Sequence, residues 1–319
     1  MIRKLALVGV LALAAASCAS QEQKSSITKT NEGVKFLRGK QYEAAIGKFE
    51  EAVKAYSDNH TAWYNLGLAH DGKKNYEEAA KAYEQAVKLS GNDPMYHMKH
   101  GIALYKAAIE DQRKRQAKAE GKKPEEIELD LKGVNFDPAR SELEAAVKLQ
   151  PALFRAYYYL GRIYRDMDEA AQAAEAFTKS IQNGPREDEP YVALGELYRR
   201  WDYTDEAIQV LAQGKQNVPG GPSDIIFALG LAYDDKGEVD KAIDEYTDAI
   251  DRDKSQNRAK YMRGLAYFKK AEGSTSKTEK TALYTKAKSD LEDFQKNAKD
   301  EFSKGIASKT LMDIMARQM

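Results

Sequence analysis

Glycine recurs along this chain at positions 33, 67, 101, 161, 195, 230 and 264, at intervals of 34, 34, 60, 34, 35 and 34 residues. A fixed period of this length constrains the fold more than any local pattern does, because each period is one supersecondary unit whose apolar face only its neighbour can cover. An alanine follows every glycine: Ala45, Ala79, Ala139, Ala173, Ala207, Ala242 and Ala287. The offset is 12 in five repeats and 38 and 23 in the third and seventh, which therefore carry insertions of 26 and 11 residues. Four residues beyond each alanine stands a large side chain: Phe49, Tyr83, Leu143, Phe177, Leu211, Tyr246 or Leu291. Pro151, Pro185 and Pro219 close the third, fourth and fifth repeats, where a helix cannot continue through the pyrrolidine ring.

The spacing of apolar residues within each period is i, i+3, i+4, i+7, which predicts two amphipathic helices and no strand. Glycine and alanine mark the place where the two helices cross, and the aromatic and leucine columns fill the space on either side. Trp63-x2-Leu66-Gly67, Tyr157-x2-Leu160-Gly161-x2-Tyr164, Tyr191-x2-Leu194-Gly195-x2-Tyr198 and Leu229-Gly230-x2-Tyr233 repeat one pattern. That pattern resembles the tetratricopeptide repeat. The resemblance covers seven repeats over about residues 26–298 and implies an all-α, right-handed α-solenoid of seven helix hairpins. Residues 299–319 read as its capping helix, amphipathic from Ser303 onward, with Ile306, Ile314 and Met315 turned inward.

The first insertion, about 106–135, holds a basic stretch (113–123) followed by an acidic one. It reads as an extension of the first helix of repeat three, a turn near Gly121–Pro124 and a short return helix. The second, 271–282, is polar and rich in Gly, Ser and Thr, and reads as a flexible loop.

The resemblance further implies that the first helix of each repeat lines a concave groove, where residues three before, one after and four after each glycine face a partner. The candidate groove residues are Tyr64, Leu68, Met98, Ile102, Tyr105, Arg155, Tyr158, Arg162, Arg165, Arg199, Phe227, Leu231, Tyr261 and Phe268. This surface is apolar and aromatic at both ends with an arginine-rich waist, suited to a peptide or helix that carries apolar anchors and a central carboxylate.

Signals for catalysis and metal binding are thin. His97 and His100 are spaced to share a metal but occupy packing columns of repeat three, and His60 and His70 are no better placed. There is no phosphate loop, nucleophile elbow or HExxH. A non-enzymatic chain without a cofactor is expected, and 50 basic against 50 acidic residues argue against nucleic acid as partner.

Residues 1–17 read as a signal peptide: Arg3 and Lys4 precede an apolar run too short to span a bilayer. Cys18, the sole cysteine, follows Ala15-Ala16-Ser17 and resembles a lipoprotein acylation site, with Ala15 departing from the usual leucine. Residues 18–26 then form the lipidated cysteine and a polar tether. Ala19, in place of an inner-membrane retention aspartate, points to the periplasmic face of the outer membrane, with a secreted or soluble periplasmic protein as the alternative. Together these features resemble outer-membrane tetratricopeptide lipoproteins, among them pilotins of type IV pilus secretins and adaptors of murein hydrolases. The expected role is a membrane-tethered scaffold for other envelope proteins, as monomer or homodimer. The competing roles are an accessory or enzyme of cell-wall metabolism and a self-associating structural lipoprotein.

Overall fold

The computed structural model describes residues 20–298 and 301–318. Among these residues it contains fifteen α-helices, one 3-10 turn and no strand. Residues 1–19, which include the stretch read as a signal peptide and Cys18, lie outside the described residues; residues 21–26, read as part of a polar tether, instead belong to the first helix, with Ser26 buried. The chain divides between Asp168 and Glu169 into an N-terminal and a C-terminal body.

The N-terminal body holds α1 (Gln21–Arg38), α2 (Tyr42–Ala55), α3 (His60–Gly72), α4 (Tyr76–Leu89), α5 (Pro94–Glu120), α6 (Asp137–Leu149) and α7 (Phe154–Asp166). Successive helices pack as antiparallel hairpins, and first helices also touch each other, α1 on α3 and α5 on α7. The C-terminal body holds α8 (Ala170–Asn183), α9 (Glu189–Arg200), α10 (Thr204–Asn217), α11 (Ser223–Asp235), α12 (Val239–Arg252), α13 (Asn257–Gly273), α14 (Lys277–Asn297) and α15 (Glu301–Gln318). Here α9 packs on α11 and α11 on α13, while α15 closes the stack against α14.

The periodic columns are the hairpin cores. A Cβ placed on Gly67 would lie 2.5 Å from the ring of Tyr83, and one on Gly101 would lie 2.8 Å from Leu143 and 2.9 Å from the Ala139 carbonyl oxygen. Both separations are shorter than any tolerable contact, so the helices reach this distance only without a side chain there. The column alanines and the large residues four further on are buried.

Hairpins without insertions turn in one way. Lys40, Lys74, Asp168, Asp202 and Gly237, each seven residues after a repeat glycine, have φ between 56° and 81°. In four of these turns the next amide donates back to the carbonyl five residues before it: Gln41 to Phe36, Asn75 to His70, Tyr203 to Tyr198 and Glu238 to Tyr233, each at 2.9 Å. This left-handed closure satisfies a carbonyl that the helix end would orphan.

Both insertions differ from expectation. α5 does extend to Glu120, and Gly121 ends it in the left-handed conformation. The return is not a helix, however, but a single 3-10 turn at Pro124–Glu126 followed by non-helical chain. Side chains of α5 supply the hydrogen bonds that a return helix would have made for itself. Gln116 donates to the Glu128 carbonyl (2.8 Å) and accepts from the Asp130 amide (3.0 Å), and Gln112 donates to the Asp130 carbonyl (2.9 Å). Ile127 and Ala117 are both buried. The second insertion is no loop either: it lengthens α13 and α14, leaving only Ser274, Thr275 and Ser276 between them, with Ser276 capping α14. In α15, Ile314 is buried as expected, but Met315 is 54% exposed, because Leu311 and Ala307 complete the inward stripe at i−3 and i−7 from Ile314.

Candidate functional site

The first helices carry the candidate residues, and four of them do not face outward. Met98, Ile102, Tyr105 and Phe227 are buried. Packing within the chain covers these side chains. Tyr105 instead leans on Phe136 (5.4 Å between centroids) and Tyr159 (5.9 Å), and its hydroxyl donates to Asp166 at 2.5 Å. Burial and the Asp166 carboxylate push its phenol well above the ordinary range. Phe227 packs on Tyr246 at 5.9 Å and carries Arg258 on its face at 5.1 Å.

Tyr64, Leu68, Tyr158, Arg162, Arg165, Arg199, Leu231, Tyr261 and Phe268 are half-buried, and Arg155 is exposed. Tyr64 stacks on Tyr96 at 4.7 Å, and burial, with Tyr96 and Asp93 nearby, pushes its hydroxyl up to about 12. Tyr261 lies against Phe294 (4.8 Å) and Phe268 against Tyr284 (5.9 Å). The aromatic ends are thus largely engaged in packing within the chain.

The arginines separate into two kinds. Arg165 donates to Asp166 through Nε and Nη2 at 3.0 and 2.8 Å, and Arg199 reaches Asp235 at 2.5 Å. Among the described residues Arg162 makes no ion pair or hydrogen bond of this kind, although the Asp166 carboxylate favours its charge. Its guanidinium carbon lies 5.2, 5.8 and 5.4 Å from the rings of Tyr105, Tyr158 and Tyr159, which hold it by cation–π attraction.

Residues five after a repeat glycine, which were not among the candidates, join neighbouring first helices. Lys106 pairs with Asp71 (2.9 Å), Lys269 with Asp234 (3.0 Å) and Asp235 with Arg199. Lys106, Asp166, Asp235 and Lys269 all stand five residues after a repeat glycine. Opposite charges alternating between the positions four and five residues after successive glycines were the available signal. Reading the stripe only to the fourth position passed over it.

His97 sits as the packing columns require. Its Nδ1 is 2.7 Å from Glu142 and its Nε2 is 2.9 Å from the Gly91 carbonyl, while His100 lies 3.5 Å from the same carboxylate. Burial works against the Glu142 charge, yet the neighbouring imidazoles of His100 and His97 hold its carboxyl below the usual carboxylate range. Among the described residues no group of three His, Cys, Asp or Glu side chains is placed to hold a metal ion, and no helix is long and apolar enough to cross a membrane. A cleft of about 580 Å³ opens where α4, α5 and α6 meet, floored by Leu104, Ala107, Ala108 and Pro138. Its rim acids are matched by neighbouring bases, Glu77 by Lys81, Glu110 by Lys114 and Asp111 by Arg115.

A family model described as tetratricopeptide repeat matches residues 30–94, 129–188 and 227–272, more than half of the chain. Small glutamine-rich tetratricopeptide repeat-containing protein 2 of Saccharomyces cerevisiae is 30% identical over 135 residues, 37% of this chain and 34% of that protein. The chain thus spans about a third of the length of that curated relative. Among solved structures, a tetratricopeptide repeat protein from Parabacteroides merdae superposes with a TM-score of 0.57 at 12% identity, covering 92% of this chain and 99% of that one. PilW, a widely conserved type IV pilus biogenesis factor, gives 0.54 at 14% identity over 73% of this chain and 94% of that one. At these identities the two structures share the fold.

Proposed function

Because this chain belongs to the tetratricopeptide repeat family, whose members bind peptides or other proteins, we propose that it is a non-enzymatic adaptor held to the envelope by lipid on Cys18. One observation carries the adaptor reading. Consecutive first helices pack directly on each other in both bodies, while their outward stripes stay polar and half-open, with Tyr158, Arg162, Leu231 and the ion-paired rungs on them. Such a surface recognises a segment of another polypeptide through side-chain contacts spread over several helices.

The lipid anchor and its address on the periplasmic side of the outer membrane rest on the sequence around Cys18. Two or three acyl chains hold a protein stably at a membrane, since each buried methylene contributes about 0.8 kcal/mol. Anchoring confines the adaptor to the surface where its partners assemble and so raises its effective concentration there. The fold neighbour PilW is a pilus biogenesis factor, and assembly of an envelope machine such as a pilus secretin is the role we assign here.

Photo-crosslinkers placed at Tyr158 and Leu231, with exposed second-helix positions Glu144 and Glu175 as controls, test the adaptor reading in intact membranes. Discrete adducts with envelope proteins from the first-helix sites alone are expected. Equal or absent adducts at all four sites overturn it. For the anchor, Cys18→Ser should abolish palmitate incorporation and release the chain from the membrane fraction; retention in that fraction counts against it.

A further inference from the structure

The C-terminal body holds a cleft of about 300 Å³ between the second helices α8 and α10, above the first helix α9. Its floor residues Ile181, Leu194 and Val210 are buried, so little aliphatic surface is left for an occupant. What the cleft offers is the half-buried ring of Tyr198 and the polar side chains of its walls. Tyr203, 55% exposed, packs at a right angle to Tyr198 with 6.3 Å between centroids and adds a second ring beside it.

The walls are rich in amides. Thr178 and Gln182 stand one turn apart on α8, and Glu206, Gln209 and Gln213 follow one stripe of α10 over about 10 Å. None of these five side chains makes a hydrogen bond among the described residues. The larger cleft of the N-terminal body differs on this point, because its acids are ion-paired and its Asn135 accepts from the Asp137 amide. Gln209 and Gln213 lie two and six residues after the column alanine. At those positions α8 has Glu175 and Lys179, paired with each other, and α12 has Asp244 and Asp248, the latter paired with Lys215. The free amides therefore belong to this cleft and not to second helices in general.

A primary amide presents a donor and an acceptor side by side, which a hydroxyl answers with its own O–H and lone pairs. The apolar face of an aromatic ring suits the C–H face of a pyranose. Among the described residues no Lys, Arg or His lines the cleft, while Glu206 does, so a phosphate or carboxylate would be unmatched and repelled. A protein partner needs apolar anchors seated in a desolvated pocket, and the buried floor offers no room for them.

We propose that this cleft binds a segment of uncharged carbohydrate, with hydroxyls on Gln182, Gln209 and Gln213 and a sugar ring against Tyr198. The site is separate from the outward first-helix stripes and stands independently of the adaptor reading.

Saturation-transfer NMR tests it on the full chain in a sugar-free zwitterionic detergent, titrated with chitotetraose and with cellotetraose. Transfer to the ring C–H protons of at least one of them is expected, and it should persist in 0.5 M NaCl because no ion pair is involved. Gln209→Ala/Gln213→Ala, at two exposed positions, should weaken binding by about tenfold, and Tyr198→Ala by at least as much. If circular dichroism shows Tyr198→Ala unfolded, the amide pair decides alone. Asp244→Ala, the counterpart of Gln209 on α12, should leave the affinity within about twofold. No transfer to either sugar, loss of transfer in salt, unchanged affinity in the amide variant, or an equal loss in Asp244→Ala overturns the site. Tighter binding of acetylated, amidated hexaglutamine, with the same sensitivity to the amide pair, overturns it too and makes the cleft a peptide site. A failed sugar titration leaves the crosslinks from Tyr158 and Leu231 untouched, so the two readings fail separately.

Discussion

On α7, Arg162 lies against three tyrosine rings with its N–H edge unpaired, whereas on α9 Arg199 closes an ion pair with Asp235 of α11. Both arginines sit on the outward stripe of a first helix, within one turn of their repeat glycine. In the N-terminal body the guanidinium is held by packing against the rings of Tyr105, Tyr158 and Tyr159. In the C-terminal body it bridges two helices of the chain itself. Residue type alone therefore does not mark a binding site; what counts is whether the donors already have acceptors.

The ion-paired side of this comparison breaks most severely at Asp290, which is buried and accepts from Arg263 Nε and Nη2, both at 2.7 Å. Asp290→Ala leaves a half-buried guanidinium without its carboxylate and should destabilise the C-terminal body by about 3 kcal/mol in urea unfolding. Asp166→Ala strikes the N-terminal body, removing the acceptor shared by Tyr105 and Arg165. A loss of about 2 kcal/mol is expected, read from Trp63 fluorescence in a Trp201→Phe background. Arg162→Gln and Arg199→Gln sharpen the contrast directly. The first should cost about 1 kcal/mol with little change in 0.5 M salt, as ring contacts are weakly screened; the second should cost about 0.5 kcal/mol and vanish in that salt. An Arg162→Gln loss that disappears in salt would mean the rings do not hold this guanidinium.

Acid gives another handle on the N-terminal body. The folded-state carboxyl of Glu142 lies below its ordinary value, so its contribution is present above the unfolded value and is lost as pH falls through the folded one. Glu142→Gln should accordingly flatten the acid limb of a stability–pH curve followed through Trp63. The smallest effect is a gain: Lys74→Gly, at a φ of 66°, should add about 0.5 kcal/mol by relieving the left-handed strain of a β-carbon.

The hairpins were legible in the sequence because they depend on volume. Only glycine fits beside Tyr83, and only small side chains fit where Ala45 and Ala79 are buried, so selection leaves a rhythm in the residue types. The turns were illegible for the opposite reason. Their closing bond runs between backbone groups, and the left-handed position holds two lysines, two aspartates and a glycine, a set without common chemistry. The 106–135 return was misread because its hydrogen bonds come from Gln112 and Gln116 on another element, which no local pattern encodes. At the candidate site, position on a helix stripe was readable. The engagement of each arginine was not, since it follows no one spacing: Arg165 takes the adjacent Asp166, whereas Arg199 takes Asp235, 36 residues on.

Four of the repeat glycines meet a side chain of their own hairpin at one spacing: Phe49 for Gly33, Tyr83 for Gly67, Leu211 for Gly195 and Tyr246 for Gly230. These partners are sixteen residues apart in sequence, so the decisive contact closes a short stretch of chain. Short closures carry a small entropic barrier, and folding can nucleate at any hairpin and spread to its neighbours. A chain that emerges from the ribosome end first can then acquire structure piece by piece, long before its last helix arrives.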